Sequence, residues 1–397
     1  MEKNGDFQSV IYLDNAATSF PKPREVTEAI CDFMENIGAN PGRGGHSSSL
    51  DAGRIILATR EELADLFKVS NSSQVILTQN ITHSLNLIIK GFLKAGDHVI
   101  TTSFEHNSVL RPLHRLKEEG MIDFDYLPIS LKGKFLPEDL EKLTKPSTTL
   151  VVVNHASNVT GTKLPVAEIA RTAKELDLAV AIDTAQTAGC YNYNWQLLQD
   201  IGVDFIAFTG HKGLFGPQGT GGLIISQEAA AKTSPFIEGG TGSKSDLLLQ
   251  PDLLPDKFEA GTQNTPGIAG LLAGLKFIKK TGRENIAASI KKRTKQLYQG
   301  FQDIAGVEII GPDLDSPRVS TISVTFGELD PAEIAFQLDK NHGIMTRSGL
   351  HCASLAHKVA GTYPGGTLRF SPGFFTTEKE IDQTLKAVAE EINRLKN

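Results

Sequence analysis

Residues 204–225 read DFIAFTGHKGLFGPQGTGGLII. An apolar run stops at Thr209, a single lysine, Lys212, follows His211 among glycines, and a second apolar run begins at Gly221. As a surface turn, the stretch would let Lys212 reach water along its own stem. Buried without a partner, the ammonium would be costly or would lose its proton. The neighbouring sequence decides between these readings. From about residue 74 the chain repeats one scheme, a short apolar run ending abruptly in polar residues and then a helix-like segment. The runs are QVILTQN, DHVITTSFEHN, TTLVVVNHASN, LAVAIDTAQ, VDFIAFTGHK and GGLIIS. Their length and β-branched content predict buried strands. Between two of them, PVAEIARTAKELD sets Val166, Ile169, Ala170, Ala173 and Leu176 on one helical face, with Pro165 suited to a first turn. Such alternation predicts an α/β fold with a mostly parallel sheet.

In open α/β sheets, ligands bind at the carboxyl ends of the strands. Those ends carry Thr82 and His83, Glu105 and His106, His155 and Asn158, Asp183 and Gln186, then Thr209, His211 and Lys212. Five polar strand ends in succession describe a pocket.

The remainder of the 397 residues reads differently. Residues 266–304 predict two helices, followed by GVEIIG, RVSTISVTF, a helix near 331–340 and TLRFSPGFF. The final helix carries Ile381, Leu385, Val388, Ile392 and Leu395 on one face. These features predict a smaller α+β domain of residues 276–397, joined by 1–13, beside a large domain of residues 14–275.

Composition narrows the functional classes. Lys and Arg number 40 against 46 Asp and Glu, a net charge of −6, which argues against general nucleic-acid binding. No apolar run approaches the length of a membrane span. The start, MEKNGDFQSV, has neither a basic stretch nor an apolar core, so no signal peptide is expected. Cys31, Cys190 and Cys352 are widely separated and no metal-ligand spacing occurs. No metal is expected, and the few thiols suit a reducing cytoplasm.

An aspartate at one strand end and a lysine beyond the next point to pyridoxal 5′-phosphate (PLP). That cofactor takes a lysine for its Schiff base and an acid against its pyridinium nitrogen. Asp183 suits the acid and Lys212 the lysine, with the glycines letting backbone approach the cofactor. Its phosphate calls for amides at a helix start and nearby hydroxyls, which TQNITHSLNLIIKGF offers with a helix beginning near Ser84. His106 suits stacking on the ring, and Asn158 and Gln186 suit bonds to its phenolic oxygen. Taken singly, Asp183 and Thr82 would also serve as helix caps, His106 as a core histidine, and Asn158 and Gln186 as turn residues.

The chain resembles the class V aminotransferase-fold cysteine desulfurases and selenocysteine lyases, almost from end to end. The resemblance runs from IYLDNAATSFPKP to LRFSPGFFTTEKEID and includes NHASNVTGT, IDTAQTAG, TGHKGLFGPQGTGG, KFEAGTQNTPG and RSGLHCASLAHK. It implies a fold-type I PLP enzyme and a homodimer. By position it makes Lys212 the Schiff-base lysine, Asp183 the pyridinium partner and His106 the stacking, catalytic histidine. Gln186 and Asn158 would hold the phenolic oxygen, Thr82, Thr209 and His211 the phosphate, and His83 is also placed among the cofactor-binding residues. Thr262 would reach the phosphate of a neighbouring subunit. Arg369 would anchor the substrate carboxylate, with Arg347, Asn158, Ala17 and His46 completing the substrate site.

Cys352 selects the chemistry, since fold and cofactor alone leave several reactions open. His351 beside it and Arg347 nearby are placed to favour its thiolate. The resemblance implies that L-cysteine is converted to L-alanine, with its sulfur taken by Cys352 as a persulfide. The compact stretch after Cys352 is similar to the short-loop, Suf-type subgroup. Leu350 stands where that subgroup often has a second histidine, and residues 238–257 are shorter than their counterpart there. A selenocysteine lyase or another PLP β-lyase is the alternative within this fold. A non-catalytic PLP-binding protein is the alternative outside catalysis. The sulfur-acceptor protein is unassigned.

Overall fold

In a computed structural model, residues 10–42, 45–244 and 246–396 are described. The expectations for residues 1–9 and Asn397, namely the missing signal peptide and their place in the smaller domain, lie outside these residues.

Seven strands form the large sheet, in the spatial order Val75–Thr78, Gly221–Ile225, Val203–Thr209, Ala179–Asp183, Thr148–Asn154, His98–Thr102 and Asp123–Leu127. Only Gly221–Ile225 runs against its neighbours; the other pairings are parallel. All six apolar runs form strands. The edge strand Asp123–Leu127 escaped the sequence reading because DFDYL alternates only weakly and keeps one end exposed.

Helices cover both faces of the sheet, so the strands are buried on both sides. Side-chain alternation sorts them between two cores: Val151, Val153, Ile182 and Ile206 point to one, and Leu150, Val152, Ala181 and Phe205 to the other. This double burial explains why the runs are continuously apolar.

A four-stranded antiparallel sheet follows, ordered Arg347–Gly349, Thr367–Phe370, Ile322–Thr325 and Glu308–Ile310. Helices Arg283–Gln302, Pro331–His342 and Glu378–Lys396 accompany it. Ile11 and Leu13 join its core, and Ile11–Tyr12 pairs in parallel with Ile344–Met345. The helix Thr265–Thr281 packs against Arg24–Asp32 and Ser47–Phe67. Its Leu275 and Ile278, and Ile286 beyond it, belong to a core of the large sheet.

One helix start differs from expectation. The helix after Val75–Thr78 begins at Ile81, not near Ser84, and Asn80 caps it by accepting from the His83 amide at 2.9 Å. Thr82 and His83 therefore sit inside its first turn.

Candidate active site

The carboxyl ends of the parallel strands open into a cleft of about 320 Å³. Parallel pairing puts Asn154, Asp183 and Ala207 side by side. The cleft brings together Lys212, Asp183, His106, Asn158, Gln186, Thr82, Thr209, His211, Arg347, Arg369 and Ala17. It does not bring in His83, Thr262, His46 or Cys352. The ring of His83 instead lies 6.3 Å from Phe236. His46 caps Ser47–Phe67, its Nδ1 accepting from the Ser49 amide at 3.3 Å, and Thr262 is exposed on the loop before Thr265.

Asp183 is buried, and its Oδ1 accepts from the Ala185 amide at 2.8 Å. Burial raises its pKa, opposed by that bond and by the charge of Lys212. Lys212 is reached from the cleft but sits among groups that strip most of its hydration. Burial brings it down to about 8, with Asp183 opposing and Arg369 and Arg347 reinforcing the shift. A lysine in this state exchanges its proton near neutral pH.

Gly213, beside Lys212, serves the packing of two loops. A Cβ on Gly213 would come within 2.2 Å of the Ala188 carbonyl, and one on Gly189 within 2.1 Å of the Gly213 carbonyl. They let the loop after Asp183 and the loop bearing Lys212 pack backbone to backbone, which fixes the spacing of acid and amine.

His106 is the N-cap of Asn107–Glu118, its Nδ1 accepting from the Ser108 amide at 3.1 Å. That bond assigns the proton of the neutral ring to Nε2. Burial, then the charges of Lys212 and Arg347, push His106 down to about 4, so it is neutral at physiological pH. His211 is likewise lowered to about 4 by burial and Lys212. Thr82 Oγ1 and Ser108 Oγ share a hydrogen bond of 2.7 Å above the helix start at Ile81.

Arg369 lies at the inner wall, 1% exposed. Its Nη2 donates to Asp14 Oδ1 at 2.6 Å and its Nη1 to the Asn158 carbonyl at 3.1 Å. Asn158 Nδ2 donates to the His351 carbonyl at 2.7 Å, and Gln186 Nε2 to the Ala16 carbonyl at 3.1 Å. Six buried polar atoms on cleft residues lack a partner: Asn154 Oδ1, Asn158 Oδ1, Thr209 Oγ1, His211 Nδ1, His351 Nδ1 and Arg369 Nε. Buried polar atoms are normally satisfied, so this concentration marks a place made for a polar ligand.

Cys352 is exposed at an adjoining opening whose walls include His106, Thr82, Ser108 and Arg111. Cys352 and the preceding His351 both adopt left-handed backbone, with φ of 58° and 49°. Such consecutive non-glycine residues are sterically disfavoured. The turn is held by the Asn107 amide, which donates to the Cys352 carbonyl at 2.8 Å. Arg347 Nη2 lies 3.8 Å from the Cys352 Sγ. The expected charge from His351 is absent. Burial, aided by Arg369, pushes that imidazole down to about 2, and its Nε2 faces Thr367 Oγ1 at 3.1 Å. Arg347 alone of the two basic neighbours supplies positive charge to the thiol.

The sequence reading missed Asp14, the partner of Arg369, and Asn154, on the cleft floor. Asp14 stands within LDNAAT, one of the quoted stretches, but nothing local in that stretch reveals its distant arginine. Among the described residues no cluster of three or more metal-ligating side chains occurs, and no helix is long and apolar enough to cross a membrane.

The class-V aminotransferase profile matches residues 11–384. A probable cysteine desulfurase of Methanothermobacter thermautotrophicus is 34% identical over 387 residues, covering 96% of this chain and 94% of that protein. A cysteine desulfurase of Cronobacter sakazakii is 31% identical, covering 96% of this chain and 93% of its own length. The apo structure of cysteine desulfurase from Thermococcus onnurineus NA1 superposes with a TM-score of 0.89 at 33% identity, covering 97% of this chain and 95% of that one. With a cleft of this composition at the strand ends and likeness along nearly its whole length, this chain belongs to the class-V aminotransferase family.

Proposed function

We propose that this chain is a PLP-dependent cysteine desulfurase that converts L-cysteine to L-alanine and takes the sulfur onto Cys352. The observation that carries this reading is the position of Cys352, whose opening shares His106, Thr82 and Ser108 with the lysine-bearing cleft. Arg347, whose Nη2 lies 3.8 Å from the Cys352 Sγ, lines that cleft.

The residues present fit the cofactor. The unpartnered Thr209 Oγ1 and His211 Nδ1, with Thr82 at the helix start, suit a phosphate. The unpartnered Asn158 Oδ1 and the Gln186 side chain would hold the phenolic side, Asp183 the ring nitrogen, and neutral His106 the ring face. Lys212 would carry the group covalently. When bound, PLP supplies an electron sink for the substrate's α-carbon.

The chain's own residues supply the rest. Arg369, oriented by Asp14, binds the substrate carboxylate as a fixed cation. Lys212 Nζ, lowered to about 8, takes the α-proton and later returns one. Cys352 Sγ, with Arg347 Nη2 3.8 Å away, attacks the substrate sulfur. An S–S bond forms as the substrate's Cβ–S bond breaks. The electron pair stays with the carbon fragment, which is protonated and leaves as alanine.

We also infer a homodimer. Leu247, Leu248 and Leu249 are consecutive and exposed, at 51%, 102% and 83%, and exposed Thr262 is free to reach a neighbouring site. A division near residue 275 and a cytoplasmic location, which three unpaired cysteines suit, belong to the same reading.

Alanine release by the PLP-loaded protein, measured in parallel with L-cysteine and L-selenocysteine, tests the function. Alanine from cysteine with a persulfide on the protein supports it. Turnover of selenocysteine alone assigns the lyase activity instead, and no turnover of either rejects catalysis.

A further inference from the structure

Glu105 has no part in the chemistry above, yet it lies at 0% exposure beside the cleft floor. It follows the strand His98–Thr102 and immediately precedes His106. Its Oε1 accepts from Thr102 Oγ1 at 2.6 Å and from the Asn154 amide at 2.9 Å. Its Oε2 is buried and has no partner. Asn154 is hydrogen-bonded through its Nδ2 to the Phe104 carbonyl at 2.7 Å, while its Oδ1 is buried and also unpartnered.

Among the described residues, no hydrogen bond or ion pair brings a cation to Glu105. Across the sheet, the charged group that acts on Glu105 is Asp183, an anion and so repulsive. His106, next in the chain, and His155, next to Asn154, are both neutral, the latter lowered to about 3 by burial. The charge of Lys212 acts on Asp183 and His106. Ionised, Glu105 would be a dry charge next to another anion, an arrangement that costs far more than a neutral acid. A proton on Oε2 removes the charge and supplies the donor this corner lacks, with Asn154 Oδ1 the free acceptor on the adjoining side chain.

We propose that Glu105 is a positioning residue that works as a neutral carboxylic acid, tying Asn154 and the His106 turn together beside Asp183. Asp183 then remains the only anion on these adjoining strand ends, where the cofactor's ring nitrogen would lie. A carboxylic acid kept neutral at pH 7 in an apolar site is a known device for donating a hydrogen bond. The assignment to the cofactor pocket rests on the function proposed above; the protonation state does not.

Burial raises Glu105 from an ordinary 4.5 to about 8. Between those values the folded chain holds a proton that the unfolded chain has released, so stability falls as pH rises through this window. Three measurements test the proposal. First, infrared difference spectra of wild-type apo-protein against Glu105→Gln should show a protonated carboxyl C=O band at pH 6 that disappears in mildly alkaline solution; a carboxylate signal at pH 6 overturns the neutral acid. Second, thermal unfolding of the same apo-proteins should fall more steeply with pH in wild type than in Glu105→Gln between pH 5 and about 8. Equal slopes overturn the proposal. Third, Glu105→Gln, a neutral isostere, should retain PLP affinity within about threefold at pH 7, while Glu105→Ala loses about tenfold or more. A loss in Glu105→Gln as large as in Glu105→Ala overturns the positioning role. Should Glu105→Ala not fold, a loss of tenfold or more in Glu105→Gln has the same meaning. The first two measurements need neither cofactor nor turnover, so their outcome is independent of the desulfurase reading.

Discussion

Arg369 and Asp14 are 355 positions apart in the chain and 2.6 Å apart in the fold. The arginine is on the strand Thr367–Phe370 of the smaller sheet, and the aspartate lies two residues beyond the Ile11–Tyr12 strand. A buried guanidinium needs a counter-charge, and Asp14 provides it while leaving Arg369 Nε without a partner. Asp14→Asn should therefore loosen the carboxylate anchor without touching Lys212 or Cys352. The expected result is a KM for cysteine raised about tenfold or more, the worth of a charge-assisted hydrogen bond at ~1.5–3 kcal/mol, with a smaller change in kcat. Steady-state alanine release checks it, and an unchanged KM would remove Asp14 from the substrate site.

Cys352→Ser should separate cofactor binding from sulfur transfer. PLP should stay bound, because Lys212 and Asp183 are untouched. Alanine yield should fall ~10²-fold or more, about 2.7 kcal/mol of transition-state stabilisation, because a hydroxyl is a far poorer nucleophile toward sulfur. Cys31→Ser and Cys190→Ser should remain near wild type. Cys31 lies on the helix Arg24–Asp32, and burial pushes the Cys190 thiol up to about 11. Alanine assays and intact-protein mass spectrometry for the persulfide compare all three. Normal turnover by Cys352→Ser would replace the mechanism with a lyase lacking a covalent sulfur intermediate.

The lowered pKa of Lys212 makes cofactor capture pH-dependent. Only the neutral amine adds to an aldehyde. The rate at which apo-protein captures PLP should rise with pH and reach half its limit near 8, not near the ordinary 10.5. Because the folded pKa lies below the unfolded one, this group also makes stability rise with pH between those values. Stopped-flow absorbance gives the rate profile, and borohydride reduction with peptide mapping should place the adduct on Lys212.

A stability prediction concerns the loop that carries Thr262. Glu259, three residues earlier, pairs in a fork with Arg60 at 2.7 and 2.9 Å, and its Oε1 also accepts from the Leu77 amide at 2.6 Å. Arg60 further donates to the Val75 carbonyl. Both ionic side chains are 8% exposed. Glu259→Ala leaves a buried guanidinium and an unpaired strand amide, so unfolding free energy should fall by about 3–5 kcal/mol. Urea denaturation checks this. A change below about 1 kcal/mol would mean that the pair is not buried in solution.

The sequence by itself determined six of the seven strands of the large sheet and the polar strand ends that meet in one cleft, Asp183 and Lys212 among them. Those features are written locally. Two-sided burial makes each strand a continuous apolar run, and the parallel arrangement gathers the polar residues that end each run at one edge. Lys212 and Asp183 were legible because each directly follows or ends such a run. Tertiary structure decided what depends on contacts between distant segments. It supplied Asp14 to Arg369, made His351 neutral through burial, and put His46 on a helix cap instead of in the cleft. It packed Gly213, beside Lys212, against the loop after Asp183 and placed Cys352 at a separate opening. Periodicity records which face a side chain occupies within its own element. It carries no information about which remote loop will close over that face, and burial, charge and proton affinity are settled there.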